Sequence, residues 1–316
     1  MPARILSVSR RTDIPAAYPR WFMECTRRGS VTFPNAHTGA LANCSLRPTD
    51  VLAFVFWTRN PAPLLPYLDE LDGRYGPRHL MHVTVTGLPA AWELRAPDPD
   101  TVFRALEALA RRYGDDHLTW RFDPILITRE HPVDEVIARF RALGQRMKGL
   151  VTRCMTSFYD PYARAQGNLA AAGLGELDGR YLSGNSDPAA VALRRELIGG
   201  LAAAAQALGI RLSVCCEDDL VGPGLADRGA CIDAGLILSV LAGRGILDGG
   251  PKTGLAPTRA QCGCSAAIDI GTYDSCPHGC VYCYANRSPA SALAHFHAWG
   301  KGGFPSDPIA PTAEEA

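Results

Sequence analysis

The sequence lacks both a long apolar run and a net charge. None of its apolar stretches approaches the roughly 18 residues that a membrane-spanning helix needs, so we expect no membrane partner. Thirty-two basic residues balance thirty-two acidic ones, and the isoelectric point is near 7.1. A chain with no net charge has no global field to draw it to nucleic acid or anionic lipid. Binding of nucleic acid is therefore not expected.

The first residues also lack the pattern of an export signal. They read MPARILSVSRRTDIP, and the arginine pair resembles that of a twin-arginine signal. The apolar segment that should follow such a pair is absent, because Asp13 and Pro15 come next. We therefore expect a cytoplasmic protein, whose cysteines stay reduced.

Six short apolar runs recur along the chain, each followed by a helical pattern. They are ARILSVS, DVLAFVFWT, HLMHVTVTG, HLTWRFDPI, LVTRCMTSFYD and IRLSVCCED. Nearly continuous apolar strands are expected where both faces of a parallel sheet are covered. The alternation predicts an α/β fold, a full or partial (β/α) TIM-type barrel, with a doubly wound open sheet as the alternative.

Polar side chains cluster where the predicted strands end, which is where a β/α barrel carries its site. Arginine forks suit carboxylate or phosphate, so the set predicts a small anionic or zwitterionic substrate. The alternative is that arginine–aspartate pairs only brace the barrel rim. The predicted substrate- or cofactor-binding residues at the strand ends are Arg10, Arg11, Asp13, Trp57, Arg59, Asn60, Arg121, Asp123 and Glu217.

Cysteine is abundant and unevenly placed. Eight of the eleven cysteines lie between residues 215 and 283, and such crowding favours metal chemistry over packing. The stretch CPHGCVYC places Cys276, Cys280 and Cys283 at C-x3-C-x2-C spacing, from which three thiolates reach one centre. Three ligands fit a [4Fe-4S] cluster that keeps one iron open.

Other cysteines leave two alternatives open. A zinc ion at the CPHGCVYC stretch would need a fourth ligand, such as His278 or the pair of Cys262 and Cys264. These two cysteines also predict a second metal site, iron–sulfur or zinc, together with Cys231 and one of the pair Cys215 and Cys216. In the opposing interpretation, the thiols are buried and pack as small hydrophobes.

The pattern of Cys276, Cys280, Tyr282 and Cys283 resembles the signature of the radical SAM enzymes. This resemblance implies a [4Fe-4S] cluster, S-adenosylmethionine chelated at its open iron, reductive cleavage of a carbon–sulfur bond, and an electron donor such as flavodoxin or ferredoxin. Tyr282 joins the predicted SAM- and substrate-binding residues. The sequence departs from the pattern in two ways, since the motif follows six strand–helix units and no Gly-Gly-Glu run follows the second strand.

Longer stretches resemble one narrower family. SRRTDIP, FVFWTRNP, WRFDPI, GACID and CGCSAAIDIGTYDSCPHGCVYCYAN are together similar to DUF1848, a family of uncharacterised bacterial and archaeal proteins, over residues 7 to 287. The resemblance favours Cys215 over Cys216 as the fourth ligand of the second site, because the pattern there is similar to a Cys-x-Glu that ends at Glu217.

These observations predict a three-part chain. We expect a barrel core over 1–220, a cysteine-rich segment over 221–300 that packs on the barrel mouth and binds iron–sulfur, and a disordered tail over 301–316. The predicted function is a radical SAM-type enzyme acting on an unknown small substrate. The alternative is a zinc or iron–sulfur protein, for binding or redox sensing, without SAM chemistry.

Overall fold

The computed structural model describes residues 3–36, 38–174, 176–246, 254–257, 259–299 and 302–308. The strands are β1 (Arg4–Val8), β2 (Ser30–Pro34), β3 (Leu41–Ser45), β4 (Val51–Thr58), β5 (His79–Thr84), β6 (Leu118–Arg121), β7 (Arg153–Thr156), β8 (Arg211–Cys215), β9 (Asp227–Gly229) and β10 (Ala267–Asp269). The helices are α1 (Ile14–Ala17), α2 (Pro19–Arg28), α3 (Leu68–Tyr75), α4 (Pro99–Tyr113), α5 (Val133–Met147), α6 (Ala163–Ala171), α7 (Pro188–Ala207), α8 (Ala234–Gly243) and α9 (Pro289–Trp299).

An eight-stranded sheet forms the centre of the protein. Its strand order is β10-β1-β4-β5-β6-β7-β8-β9, and every neighbouring pair is parallel. The six predicted strands are β1 and β4 to β8, which lie side by side in chain order. A doubly wound sheet reverses its strand order partway, and this series does not. Within the described ranges no ladder joins β9 to β10, so the architecture shown is an α/β fold around a parallel sheet.

Strand β4 shows why the predicted strands are apolar throughout. Successive side chains of a strand point to opposite faces, and here both faces are buried. Phe54 and Phe56 pack edge-on against Phe22 of α2, with ring centres 5.3 and 5.5 Å apart. Val55 belongs to the opposite face, whose apolar cluster includes Ile237 of α8. Each such buried side chain contributes roughly 2 kcal/mol relative to an exposed one.

Helix α4 illustrates how the local sequence sets the element boundaries. The Asp98 carboxylate accepts a hydrogen bond from the Thr101 amide at 2.9 Å, so it caps the free amides of the first turn. At the other end Gly114 adopts a φ of +83°, a conformation that glycine takes without steric cost. Asp98 and Gly114 are thus residue types that commonly begin and end helices.

The predicted boundary at residue 220 does not separate two sheets. Strand β9 extends the central sheet beyond β8, and β10 pairs with β1 on the other side, with Ala267 opposite Ile5. The cysteine-rich segment 221–300 therefore does not simply pack on a finished barrel. It supplies both edge strands, β9 and β10, which are three residues long each.

Part of the predicted disordered tail is packed. Phe304 is 1% exposed, and its ring centre lies 4.5 Å from that of Tyr18 and 4.6 Å from that of Trp21. The expectation of disorder is thus wrong for residues 302–308, where one aromatic side chain fills a gap beside α2. The remainder of the predicted tail lies outside the described residues. No described helix is long and apolar enough to cross a membrane.

Candidate functional site

The cysteine loop, residues 276–283, lies at the carboxyl ends of the central strands. Two backbone hydrogen bonds fix it to the segment after β5, from the Val281 amide to the Trp92 carbonyl (3.0 Å) and from the Arg95 amide to the His278 carbonyl (2.9 Å). The loop can be late in the sequence and still reach this end, because β10, which precedes it, lies beside the first strand.

The three thiols of this loop sit close together, and two of them accept backbone hydrogen bonds. The His278 amide donates to Cys276 and the Ala285 amide donates to Cys283 at 3.4 Å, while Cys280 lies beside the Tyr282 side chain. Burial raises the pKa of the Cys280 thiol to about 12 against the influence of Arg59. Hydrogen bonds to sulfur stabilise cysteine thiolates that hold a cluster, so this donor set fits the predicted [4Fe-4S] group.

A buried ion pair lies directly against the loop. The guanidinium of Arg59 donates to both carboxylate oxygens of Glu93, at 2.7 and 2.8 Å, and also to the Tyr282 hydroxyl. Tyr282 in turn donates to Glu93 at 2.5 Å, and Thr86 donates to the same oxygen at 2.6 Å. The charge of the predicted ligand-binding Arg59 is thus balanced inside the protein. Sequence reasoning missed Glu93, although it follows a predicted strand as the other candidates do.

Asp13 connects the first strand end to the cysteine loop. One of its carboxylate oxygens caps α1 by accepting from the Ala16 amide at 3.0 Å. The other lies 2.7 Å from the Arg59 amide and 2.7 Å from Nε2 of His278. Nδ1 of His278 lies 3.3 Å from the Arg95 carbonyl. Since both ring nitrogens of His278 already have partners, this residue does not present a free nitrogen as a fourth zinc ligand.

Arg10 and Arg11 share a carboxylate that sequence reasoning also missed, Asp269 at the end of β10. Its oxygens accept from Nε of Arg11 (3.0 Å), the Arg10 amide (2.8 Å) and the hydroxyls of Ser7 and Ser9 (2.7 and 2.5 Å). Burial opposes ionisation, yet Arg11 and these donors hold the pKa of Asp269 below its usual range. The short apolar run before Asp269 was the only signal for it.

Arg121 and Trp57 lie beside the second cysteine group. The guanidinium of Arg121 pairs with Asp123 at 2.5 Å, lies 5.1 Å from the centre of the Trp57 ring, and donates to Sγ of Cys231 at 3.3 Å. Trp57 also stacks on His82 with ring centres 4.5 Å apart. The four predicted arginines are therefore divided among three carboxylates, and ligand binding by any of them stays a prediction.

Two other predicted residues have different surroundings. Asn60 accepts from the Ala62 amide at 3.2 Å and so caps a turn. Glu217 is buried and accepts from the Phe158 amide at 3.1 Å. Burial raises the pKa of Glu217 to about 7.

The second cysteine group is brought together by the fold. Sγ of Cys215 lies 3.1 Å from Sγ of Cys231, Cys231 is hydrogen-bonded to Cys264, and Cys264 to Cys262. The sulfurs form a chain of contacts. Among the described residues no group of three or more His, Cys, Asp or Glu side chains is already arranged to hold a metal ion, so metal binding by either cysteine group stays a prediction.

Several buried polar atoms at the carboxyl end have no hydrogen-bond partner among the described residues. They are the hydroxyls of Thr12, Tyr159 and Thr272 and the side-chain carbonyl of Asn286. Tyr159 packs in the same apolar cluster as Cys280, and the Asn286 amide nitrogen donates to the Cys276 carbonyl at 2.9 Å. Buried polar groups are rarely unpaired, so these atoms are candidate contacts for a polar ligand.

Comparison with known proteins gives a family without an assigned activity. A family model described as a domain of unknown function, DUF1848, matches residues 5–285. No curated protein matches. Among solved structures, a candidate α-L-fucosidase from Bacteroides thetaiotaomicron is 11% identical over 80% of this chain and 82% of its own, with a TM-score of 0.26. A substituted organophosphorus hydrolase from Deinococcus radiodurans is 16% identical over 78% and 72%, with a TM-score of 0.23. Similarities this low carry no argument about function.

Proposed function

Because the chain belongs to the DUF1848 family, whose description states no activity, we propose from the chemistry of its site that it is a radical SAM-type enzyme. Its substrate would be small and anionic or zwitterionic. One observation carries the proposal. Three neighbouring thiols of a single short loop lie together at the carboxyl end of a parallel sheet, and two of them accept backbone hydrogen bonds.

Cys276, Cys280 and Cys283 would hold the cluster. A [4Fe-4S] cluster with three protein ligands keeps one iron open for S-adenosylmethionine and supplies the electron that cleaves its carbon–sulfur bond. Cys280 is buried, whereas Cys276 and Cys283 are half-buried, so the loop shields the centre and still leaves an approach to it. Shielding from water matters for a low-potential redox centre.

The surrounding residues would position the loop and meet the ligand. The Arg59–Glu93 pair holds Tyr282, which lies between two of the cysteines in the sequence, and Asp13 holds His278. The unpaired hydroxyls of Thr12 and Tyr159 are available to a ligand's carboxylate or ribose. Because the arginines already have acidic partners, these neutral donors are the better candidates for first contact with an anion.

A partial β/α barrel is the architecture that we propose for this activity. Strands β1 and β4 to β9 follow chain order and β10 returns beside β1, as expected of a sheet that curls towards closure. In such a fold the carboxyl ends of the strands surround one mouth. The cysteine loop and the substrate would then share that mouth.

Anaerobic reconstitution tests the proposal. Purified protein given iron and sulfide should bind about four irons at the loop, and after reduction with dithionite it should convert S-adenosylmethionine slowly to 5′-deoxyadenosine or methylthioadenosine. Replacing Cys276, Cys280 and Cys283 together with alanine should abolish that product. A Cys44→Ala variant is the matched control, since Cys44 lies in the separate β2–β3 hairpin.

An intact, reducible cluster that yields neither product with several reductants would reject the proposal. It would favour an iron–sulfur protein without SAM chemistry. Zinc in place of iron at this loop would favour a zinc-binding protein.

A further inference from the structure

The second cysteine group lies where the two edges of the central sheet come together. Cys215 ends β8, and Cys231 follows β9 at one edge. Cys262 and Cys264 precede β10, the strand at the other edge. The Ser265 amide donates to the Ile232 carbonyl at 2.8 Å across the same gap. Residues far apart in strand order therefore meet at one seam.

The sulfurs at this seam are close enough to become one ligand shell. Cys215 and Cys231 have their sulfurs 3.1 Å apart, and hydrogen bonds continue the chain to Cys264 and Cys262. A tetrahedral shell with metal–sulfur distances of about 2.3 Å places its sulfurs roughly 3.8 Å apart. The distance between the Cys215 and Cys231 sulfurs is shorter than this by less than an ångström, so small side-chain rotations would bring the row of sulfurs into a tetrahedral shell.

Nitrogen donors are directed at these sulfurs. The Arg121 guanidinium donates to Sγ of Cys231 at 3.3 Å, and the Ile232 amide donates to Sγ of Cys264 at 3.5 Å. Donors that face sulfur stabilise thiolate, which is the form that binds metal.

An access route to the seam is also present. A cavity of about 170 Å³ between the sheet and α8 is lined by Cys231 together with His82, Met155 and Ile237 of α8. Nδ1 of His82 is buried without a partner among the described residues. A hydrated metal ion is small enough for such a space, so the site has an entry path.

We propose that Cys215, Cys231, Cys262 and Cys264 form a four-thiolate metal centre that joins the β8–β9 edge of the sheet to the β10 edge. Four thiolates are the ligand set of structural zinc and of iron–sulfur clusters. This centre is separate from the cysteine loop 276–283, and its role is to hold the seam closed where the described strands form no ladder.

Metal analysis tests this proposal on a full-length variant whose cysteine loop can no longer bind metal. The variant with Cys276, Cys280 and Cys283 changed to serine, purified without oxygen, should retain either about one zinc or about four irons with matching sulfide per chain. Zinc would identify a structural zinc site and iron with sulfide would identify an iron–sulfur cluster, and either result supports the proposed centre. Adding Cys231→Ser to this variant should remove that metal entirely, whereas adding Cys44→Ser should not.

The intact chain provides a second measurement in case these variants fold poorly. It should hold metal beyond one loop cluster, and a Cys262→Ser variant should lose only that excess and unfold at a lower temperature. A folded loop variant free of metal, or an intact chain with one loaded cluster and no other metal, would overturn the proposal. Neither outcome would affect the function proposed for the loop. Conversely, loss of SAM cleavage with the seam metal retained would reject only the loop's function.

Discussion

Single carboxylates balance the positive charges of the site. Arg59 and Glu93 have side chains that are 11% and 4% exposed, and two hydrogen bonds join them. Removing one member of such a buried pair leaves the other charge without a partner, which is costly. Glu93 is therefore as important to the loop as the arginine that the sequence indicated.

We predict that Glu93→Gln lowers the free energy of unfolding by about 3 kcal/mol, the lower end of the range for breaking a buried pair. It should also reduce iron loading at the cysteine loop, because Tyr282 loses its carboxylate acceptor. Urea denaturation and iron analysis measure the two effects. Asp100→Asn is the control, since the Asp100–Arg146 pair is exposed and should contribute under about 1 kcal/mol. Equal stability losses in the two variants would contradict the argument.

At the scale of elements, the segment 302–308 behaves as part of the core around α2. The indole nitrogen of Trp21 donates to the Asp307 carbonyl at 2.8 Å, and the Asp307 carboxylate accepts from Arg28 (2.5 Å) and from the Thr32 amide (2.9 Å). Together with the buried Phe304 ring, these contacts fix the segment to both α2 and β2. Its removal would expose aromatic surface on α2.

We expect Phe304→Ala to destabilise the protein by about 3–5 kcal/mol, because it leaves a cavity among aromatic rings. The free energy of unfolding from urea titration measures this loss. Leu41→Ala is the matched control at an exposed apolar position, 66% accessible, where little change is expected. If Phe304→Ala were as stable as Leu41→Ala, the segment would not be part of the core.

For the whole molecule, two buried histidines that pack against Tyr113 of α4 link stability to pH. His117 and His79 are hydrogen-bonded to each other at 2.7 Å, and His79 also contacts Asp72 at 3.1 Å. Burial lowers the pKa of both residues. In the unfolded chain each has a pKa near 6.5, so on acidification the unfolded state binds protons that the folded state does not. The stability from these neutral histidines is present above pH of about 6.5 and is lost as pH falls below it.

The contribution of these histidines to the free energy of unfolding should therefore fall between pH 7.5 and 5.5, by up to about 1.4 kcal/mol per pH unit for each histidine. Glu217, whose pKa is raised to about 7, acts in the opposite sense and offsets part of this fall. His117→Phe should give a shallower slope, because one of the two groups no longer titrates. Urea denaturation at several pH values measures both slopes. His297→Ala on α9, where the side chain is exposed, should leave the slope unchanged. Parallel slopes for the parent and His117→Phe would rule out this source of acid sensitivity.

The sequence by itself determined the strand–helix units and the two cysteine groups. Strands β1 and β4 to β8 all fall within predicted apolar runs. The apolar pattern of a buried strand is visible in a short stretch of consecutive residues, so the sequence alone reveals it. The C-x3-C-x2-C loop is similarly local, and its spacing limits which centre it can hold. The upstream cysteines Cys215, Cys231, Cys262 and Cys264 share one buried cluster, and their metal binding stays a prediction.

Only the tertiary structure decided which charges pair and where the last third of the chain goes. Glu93 reaches Arg59, Asp269 reaches Arg11 across 258 positions, and β10 enters the sheet beside β1. Spacing carries no information about such partners, because they are selected by burial. A charge taken from water needs an opposite charge nearby, and an edge strand needs any unpaired neighbour. Several acidic residues could have neutralised each arginine, and several strands could have paired with each sheet edge. Only the folded chain shows which of them does.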